Sequence, residues 1–270
     1  MDPRVIFLGT GGDIFVTGQQ LRASGGIVLQ AEGNQFHIDP GPGAVVRARI
    51  ADINPRHNTA IFVSHNHLNH CNDINALISA MTHNGFDKKG VVITNKTAYN
   101  GIETMKPVMT EYYKRLVERA IAVEAGQKIA INEIEIKATP TRHNDPHAVG
   151  FKFFAPKFTL GYTSDTEYFK ELAEEFKETD LLIINVVNPF HIKEKNHMNS
   201  EDAVKLINEA KPKHAVITHF GIKMHQADPL YEAREISKQT STHVLAAKDG
   251  LVLNPMTFAS SVRQKTLKGF

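Results

Sequence analysis

Short apolar runs punctuated by glycine recur through the first half of the chain, beginning at residues 4–8. Segments 26–30 and 35–38 flank Glu32-Gly33-Asn34 and read as a hairpin. Asp39-Pro40-Gly41-Pro42-Gly43 is a rigid turn, because both prolines fix φ and the glycines permit φ > 0. The run 59–64 has the length of a buried strand. Beyond it, Ile74, Leu77, Ile78 and Met81 repeat at helical spacing and predict a helix over 72–81. Residues 90–94 suit another strand. From 96 to 126 the pattern loosens, and a helix is expected within 103–117, with Pro107 at its start or break.

The second half is more regular. Strands are expected at 133–139, 149–154, 158–162, 181–187, 215–218, 243–246 and 251–253. Helices are expected at 166–177, opened by Asp165 or Thr166, at 199–210, with Asn199 or Ser200 as cap, and at 229–238. Strands first, then strand and helix in alternation, predict an α/β architecture with helices covering stacked sheets. One domain over 1–270 is expected, with an inserted lobe at about 96–127 and no internal repeat. Residues 260–270 are basic and expected to fray.

Composition narrows the classes. Hydrophobic residues are 41% and charged residues 22%, which suits a soluble globular chain and argues against disorder. Lys plus Arg is 31 against 29 Asp plus Glu, so a net charge of +2 gives no drive towards nucleic acid or membrane. No apolar run approaches the roughly 20 residues that cross a bilayer. The single cysteine, Cys71, rules out an internal disulfide framework and suits a reducing compartment. With no signal-peptide layout at Met1-Asp2-Pro3-Arg4, a cytoplasmic location is expected. There is no Gly-x-Ser-x-Gly elbow and no Gly-Lys pair for a phosphate loop. Gly9-Thr10-Gly11-Gly12 is read as a glycine turn between strands, since the third glycine of a dinucleotide fingerprint would fall on Ile14.

The unusual number is 14 histidines against 6 tyrosines. Three of them lie in Ser64-His65-Asn66-His67-Leu68-Asn69-His70. His65 and His67, at i and i+2, point to one side of an extended segment. His70 follows where the chain should bend into the helix beginning near Asn72. Imidazoles so crowded are poor core residues, because each has nitrogens that need partners. They suit a metal site, since borderline ions such as zinc favour imidazole.

His65-Asn66-His67-Leu68-Asn69-His70 resembles the His-x-His-x-Asp-His motif of the metallo-β-lactamase superfamily, above all its ribonuclease Z-like and phosphodiesterase-like branches. Phe7-Leu8-Gly9-Thr10-Gly11-Gly12 and Ile38-Asp39-Pro40-Gly41 are similar to that branch too. The later motifs match His143 before Ala148-Val149-Gly150-Phe151, Asp165 after Leu160-Gly161-Tyr162-Thr163-Ser164, and His219 after Val216-Ile217-Thr218. The resemblance implies a four-layered αβ/βα sandwich and a metal-dependent hydrolase. It assigns His65, His67 and His143 to a first metal, His70 and His219 to a second, and Asp165 to a bridge between them. Such ions sit about 3.5–4 Å apart and share a water or hydroxide that attacks the substrate. Zn2+ is the expected ion, one or two per chain, with Mn2+ or Fe as alternatives. A homodimer is implied by the resemblance alone.

One position departs from the motif. The family has aspartate where this chain has Asn69, which offers a carbonyl oxygen but no carboxylate. Asn69 therefore stands in the ligand set and among the catalytic candidates, with a weaker second site as the consequence. A catalytically weak or inactive metal-binding protein is the rival reading that this residue supports. His197, before the helix at 199–210, resembles the loop histidine that assists phosphodiester cleavage, and a surface histidine is the plain alternative. His191 is a lesser candidate of the same kind. His147 is available to line the pocket, and Asp39 to hold a ligand histidine through its second nitrogen. His37, His57, His83, His214, His225 and His243 read as structural or solvated, and Cys71 as a small buried residue.

A phosphodiester ranks first as substrate, with a lactone or another ester second. A small molecule is preferred to RNA. Ribonuclease Z-like proteins grip RNA with a glycine- and proline-rich arm, and residues 96–126 hold only Gly101, Gly126 and Pro107. RNA binding also needs clustered Lys and Arg, and the net charge is nearly zero.

Overall fold

The computed structural model of the chain describes residues 2–262. In chain order the strands are β1 (Arg4–Phe7), β2 (Ile27–Ala31), β3 (Asn34–Ile38), β4 (Ala60–Val63), β5 (Val91–Asn95), β6 (Arg119–Val123), β7 (Lys128–Ile131) and β8 (Ile134–Pro140). They continue with β9 (Val149–Ala155), β10 (Phe158–Tyr162), β11 (Leu181–Asn185), β12 (His214–Thr218), β13 (His243–Ala246), β14 (Leu251–Leu253) and β15 (Ser260–Val262). The helices are α1 (Ile14–Gly18), α2 (Ala44–Ile50), α3 (Leu68–Cys71), α4 (Ile74–Thr82), α5 (Lys96–Asn100) and α6 (Glu111–Leu116). After these come α7 (Lys170–Glu175), α8 (Ser200–Ala210), α9 (Ile222–Ala227) and α10 (Pro229–Gln239).

Two sheets result. One runs β15-β14-β1-β2-β3-β4-β5-β6, antiparallel as far as β3 and parallel beyond it. The other runs β13-β12-β11-β10-β9-β8-β7, parallel from β13 to β10 and antiparallel thereafter. The β2–β3 hairpin turns through Glu32 and Gly33, both at positive φ, as a two-residue turn matched to the strand twist requires.

The sheets face each other across an aromatic core. Phe36 and Phe62 of the first sheet meet edge to face at 5.4 Å, and Phe62 meets Phe153 of the second at 5.3 Å. Strand β11 shows why its sequence is apolar without alternation. Leu181 and Ile183 enter this central core, while Leu182 and Ile184 pack beneath α7, α8 and α10. On the first sheet, Ile61, Val63 and Val92 are covered by Ile74, Leu77, Ile78 and Met81 of α4 and by Ala44 of α2. The layers are therefore helix, sheet, sheet, helix, as the four-layered expectation required.

Several elements differ from expectation. The helix foreseen over 72–81 is α4, and an unforeseen single turn, α3, precedes it, so His70, ahead of the helix as expected, lies inside a helical turn of its own. The helix foreseen over 166–177 is only α7, whose cap is Phe169. Asp165 is turned into the histidine cluster, and Thr166 Oγ1 accepts from the Arg142 N–H, so neither caps it. The helix expected within 103–117 is α6, which lies beyond Pro107. Helices α1 and α2 and strands β6 and β7 carry no clear pattern in the sequence; β6 joins β5 in parallel within the stretch expected as a lobe. Ser260–Val262 pairs with β14, and the rest of the segment expected to fray, 263–270, lies outside the described residues. Among the described residues no helix is long and apolar enough to cross a membrane.

Candidate metal centre

Loops that follow β4, β8, β10 and β12 deliver the polar residues. His65 follows β4, His67 caps α3 and His70 lies in that turn. His143 comes from the loop after β8, Asp165 from the loop after β10, and His219 directly follows β12 at φ 65°. Stretches far apart in the chain therefore meet at one place.

Among the described residues the ligand atoms form three overlapping groups, each within 4.8 Å of one another: first His65, His67, His143 and Asp165, second His70, Asp165 and His219, and third Asp39, His65 and His70. In the first, His67 Nδ1 lies 3.0 Å from His65 Nε2 and 3.2 Å from His143 Nε2. In the second, Asp165 Oδ2 is 3.2 Å from His70 Nε2, and Asp165 Oδ1 is 3.1 Å from His219 Nε2. Both imidazole nitrogens are buried and neither makes a well-aligned hydrogen bond, although the carboxylate is so near. Nitrogen lone pairs converging on one another around a carboxylate are a donor set for a borderline divalent cation, so these residues fit the metal that the motif implies.

The far sides of the imidazoles are held in place. Asp39 accepts from His70 Nδ1 at 2.8 Å, Ser64 Oγ at 2.6 Å, Tyr162 OH at 2.7 Å and the Ser64 N–H at 2.7 Å. Because Ser64 Oγ gives its proton to Asp39, it accepts from His65 Nδ1 at 2.9 Å, which turns His65 Nε2 to the cluster. His143 Nδ1 donates to the Asn196 carbonyl at 3.0 Å, with the same result. Such partners fix tautomer and ring orientation. Asp39→Ala leaves three buried donors and a charged His70 without their acceptor. We expect it to cost about 3–5 kcal/mol of stability in the metal-free protein, read from urea unfolding, together with roughly 10- to 100-fold in metal affinity.

Electrostatics divides the cluster in two. Burial, reinforced by neighbouring imidazoles, drives the pKa of His65 well down and that of His67 to about 4. Burial likewise lowers His143 and His219. His70 is the opposite case: burial opposes its charge, but Asp165 and Asp39 on its two sides outweigh that and lift it to about 10. Burial also works against the charge on Asp165, yet His219 and His70 hold its carboxyl well below the usual range.

The remaining candidates separate. His197 points Nε2 at Asp165 Oδ2 from 3.7 Å, with Glu194 3.7 Å from its Nδ1. Burial opposes its charge, but Asp165 and Glu194 raise its pKa. Asn69 donates from Nδ2 to the Gly12 carbonyl at 3.1 Å. His191 is 91% exposed, paired with Glu201, and lies apart from these groups. His147 bonds to Thr97 Oγ1 at 3.0 Å. The buried Cys71 thiol donates to the His67 carbonyl, and burial pushes its pKa up to about 12, so it offers no thiolate.

Sequence reasoning passed over several supporting residues. Asn185 Nδ2 donates to Asp165 Oδ1 at 2.7 Å, and Ser164 Oγ to Ser64 Oγ at 2.8 Å. Buried Asp145 accepts from the N–H groups of Asn66 and His147 and from Asn95 Nδ2, tying the loops of His67 and His143 together. Asn185 ends an apolar strand and Asp145 sits in the His143 motif; position at a strand end or beside a ligand was the one signal available.

Residues 34–220 match the family model described as a beta-lactamase superfamily domain. An uncharacterized protein of Methanocaldococcus jannaschii is 35% identical over 253 residues, covering 93% of this chain and 94% of the relative. The metallo-beta-lactamase fold protein YhfI from Bacillus subtilis superposes with a TM-score of 0.78 at 20% identity, covering 93% of this chain and 99% of that one. Human tRNase Z, short form, superposes at 0.67 and 18% identity, covering 97% of this chain and all of that chain (100%).

Proposed function

The chain belongs to the β-lactamase superfamily, and from that premise we propose that it hydrolyses small phosphodiesters with divalent cations held by its histidine–aspartate cluster. The carrying observation is Asp165, a buried carboxylate set between His70 and His219 and shared with the trio His65, His67 and His143. In this reading the trio holds one cation, His70 and His219 hold the other, and Asp165 serves both. Zinc is the ion we assign, with manganese or iron as alternatives that the same donors accept. Cations bound there supply Lewis acidity for the substrate oxygens and acidify a water for attack.

The chain's own groups do the rest. Second-nitrogen partners keep the lone pairs aimed inward, and the buried apolar strands beneath the cluster exclude bulk water from behind. His197 is the proton donor we assign to the leaving oxygen, because it stands 3.7 Å from Asp165, and Asp165 and Glu194 outweigh burial to raise its pKa, which favours the proton-bearing form. His197→Ala is expected to lower kcat about 100-fold while elemental analysis finds the same metal content. Loss of metal in that variant would instead make His197 a ligand.

The preference for a small substrate rests on residues 96–127. Ala98, Met109 and Val117 there are buried against β4, β5 and α4, so this stretch packs down on the sheet. A net charge of +2 also gives little grip on a polyanion. The test is turnover of bis-p-nitrophenyl phosphate beside a lactone panel, before and after chelation and with zinc or manganese restored. Metal-dependent turnover of the diester supports the proposal, and turnover of lactones alone replaces it with an ester hydrolase.

A further inference from the structure

Asn69 is where this chain departs from its family's motif, and its surroundings say what the amide does. Nδ2 donates to the Gly12 carbonyl at 3.1 Å. A carboxylate in this place would set oxygen against oxygen with no proton between them. Gly12 is in turn tied to the segment that carries His219. Its N–H donates to the Phe220 carbonyl at 2.9 Å, and the Phe220 N–H donates to the Thr10 carbonyl at 2.8 Å. A Cβ at Gly12 would overlap the His219 carbonyl, so glycine is required for this close approach. The next residue, Asp13, accepts from the Val16 N–H and the Ile222 N–H, both at 2.7 Å, and so fastens the same strap beyond His219. His219 itself sits at φ 65°, a conformation that a non-glycine residue keeps only when its surroundings impose it.

We propose that Asn69 is a positioning residue for the second cation rather than one of its ligands: its amide joins the helical turn bearing His70 to the glycine strap that buttresses His219. The inference rests on the reading of His70, Asp165 and His219 as one cation site. It explains why the chain carries asparagine here. The N–H that secures Gly12 is worth more at this place than a charge that would push the strap away.

The ligand reading and the positioning reading predict opposite signs for one substitution. If Asn69 were a ligand lacking its charge, N69D would tighten the second cation. As a positioning residue, N69D loosens it. We would titrate the full chain, stripped of metal, with zinc for the wild type, N69D and N69A, counting ions and their affinities. In parallel we would follow hydrogen exchange at the Gly12 and Phe220 amides in the metal-free proteins. Both variants are expected to keep the first ion unchanged and to bind the second about 10- to 100-fold more weakly. Exchange at the two amides should quicken about fivefold, as loss of one hydrogen bond implies. N69A carries no new charge, so agreement between the variants ties the effect to the missing N–H; thermal unfolding of each shows that the fold persists. A second ion held as tightly or more tightly in N69D, or exchange unchanged in both variants, overturns the inference. A wild-type chain that takes no second ion overturns the metal reading of the site and this inference together.

Discussion

Asp165→Asn is expected to lower phosphodiester turnover at least about a thousandfold, on the order of 4 kcal/mol of transition-state stabilisation. The substitution keeps the shape of the side chain and removes its charge, so packing against Asn185 is a small part of the effect. In the wild type, Asp165 Oδ2 lies 3.2 Å from His70 Nε2 and 3.7 Å from both His65 and His197, while Oδ1 lies 3.1 Å from His219. Four imidazoles thus address one carboxylate. An amide offers one oxygen where two are used, and its NH2 group would face nitrogens that must present lone pairs to a cation. Both cation positions should suffer, the second more, because among the described residues Asp165 is the carboxylate grouped with both His70 and His219. The measurement is turnover of bis-p-nitrophenyl phosphate with zinc content determined on the same sample. An Asp165→Asn chain that retains two ions and normal turnover would remove Asp165 from the centre of the mechanism.

The difference between what was legible in the sequence and what was not is physical. His65, His67 and His70 announce themselves because three imidazoles within six residues demand partners, and the apolar run ahead of them identifies the strand that aims them. Strand β11 and helix α8 were legible for the same kind of reason: a continuous apolar run means burial on both faces, and Asn199 is a cap whose side chain accepts from the Asp202 N–H. Position along the chain says little about partners across it. Nothing local marks Asn69 as a donor to Gly12, 57 residues earlier, or Tyr162 as a donor to Asp39, 123 residues earlier. Single-turn helices such as α3 carry too few residues for a period to register, and β6 is an edge strand, half exposed, whose short alternation is faint. Asp165 reads from the sequence both as a strand-end ligand and as a helix cap, because an aspartate before a charged segment looks the same in either case.

Metal uptake should divide by pH in the same way that the imidazoles divide by charge. A histidine ligates only with its lone pair free, so any proton on it must leave as the ion enters. His67, held near a pKa of about 4, and His65 and His143, both lowered by burial, favour the neutral form at pH 7, so the first ion should displace few protons there and gain little affinity as pH rises further. The second position is different. His219 also favours the neutral form, but Asp165 and Asp39 outweigh burial and keep His70 protonated up to about pH 10. Each unit of pH below 10 should therefore weaken the second ion about tenfold, so between pH 7 and pH 9 its affinity rises roughly 100-fold. The sign is reversed for the metal-free fold. The His70 pKa is raised from 6.5, so the contribution of its charge to stability is complete below pH 6.5 and is lost as pH climbs through about 10. Alkaline solution thus loosens the empty scaffold while it favours the second cation. Calorimetric zinc titrations at pH 7 and pH 9, each in two buffers of different ionisation enthalpy, would count the protons: close to none for the first ion and close to one for the second. Equal release from both events, or a second affinity indifferent to pH, would mean that His70 is not the ligand that has to be deprotonated.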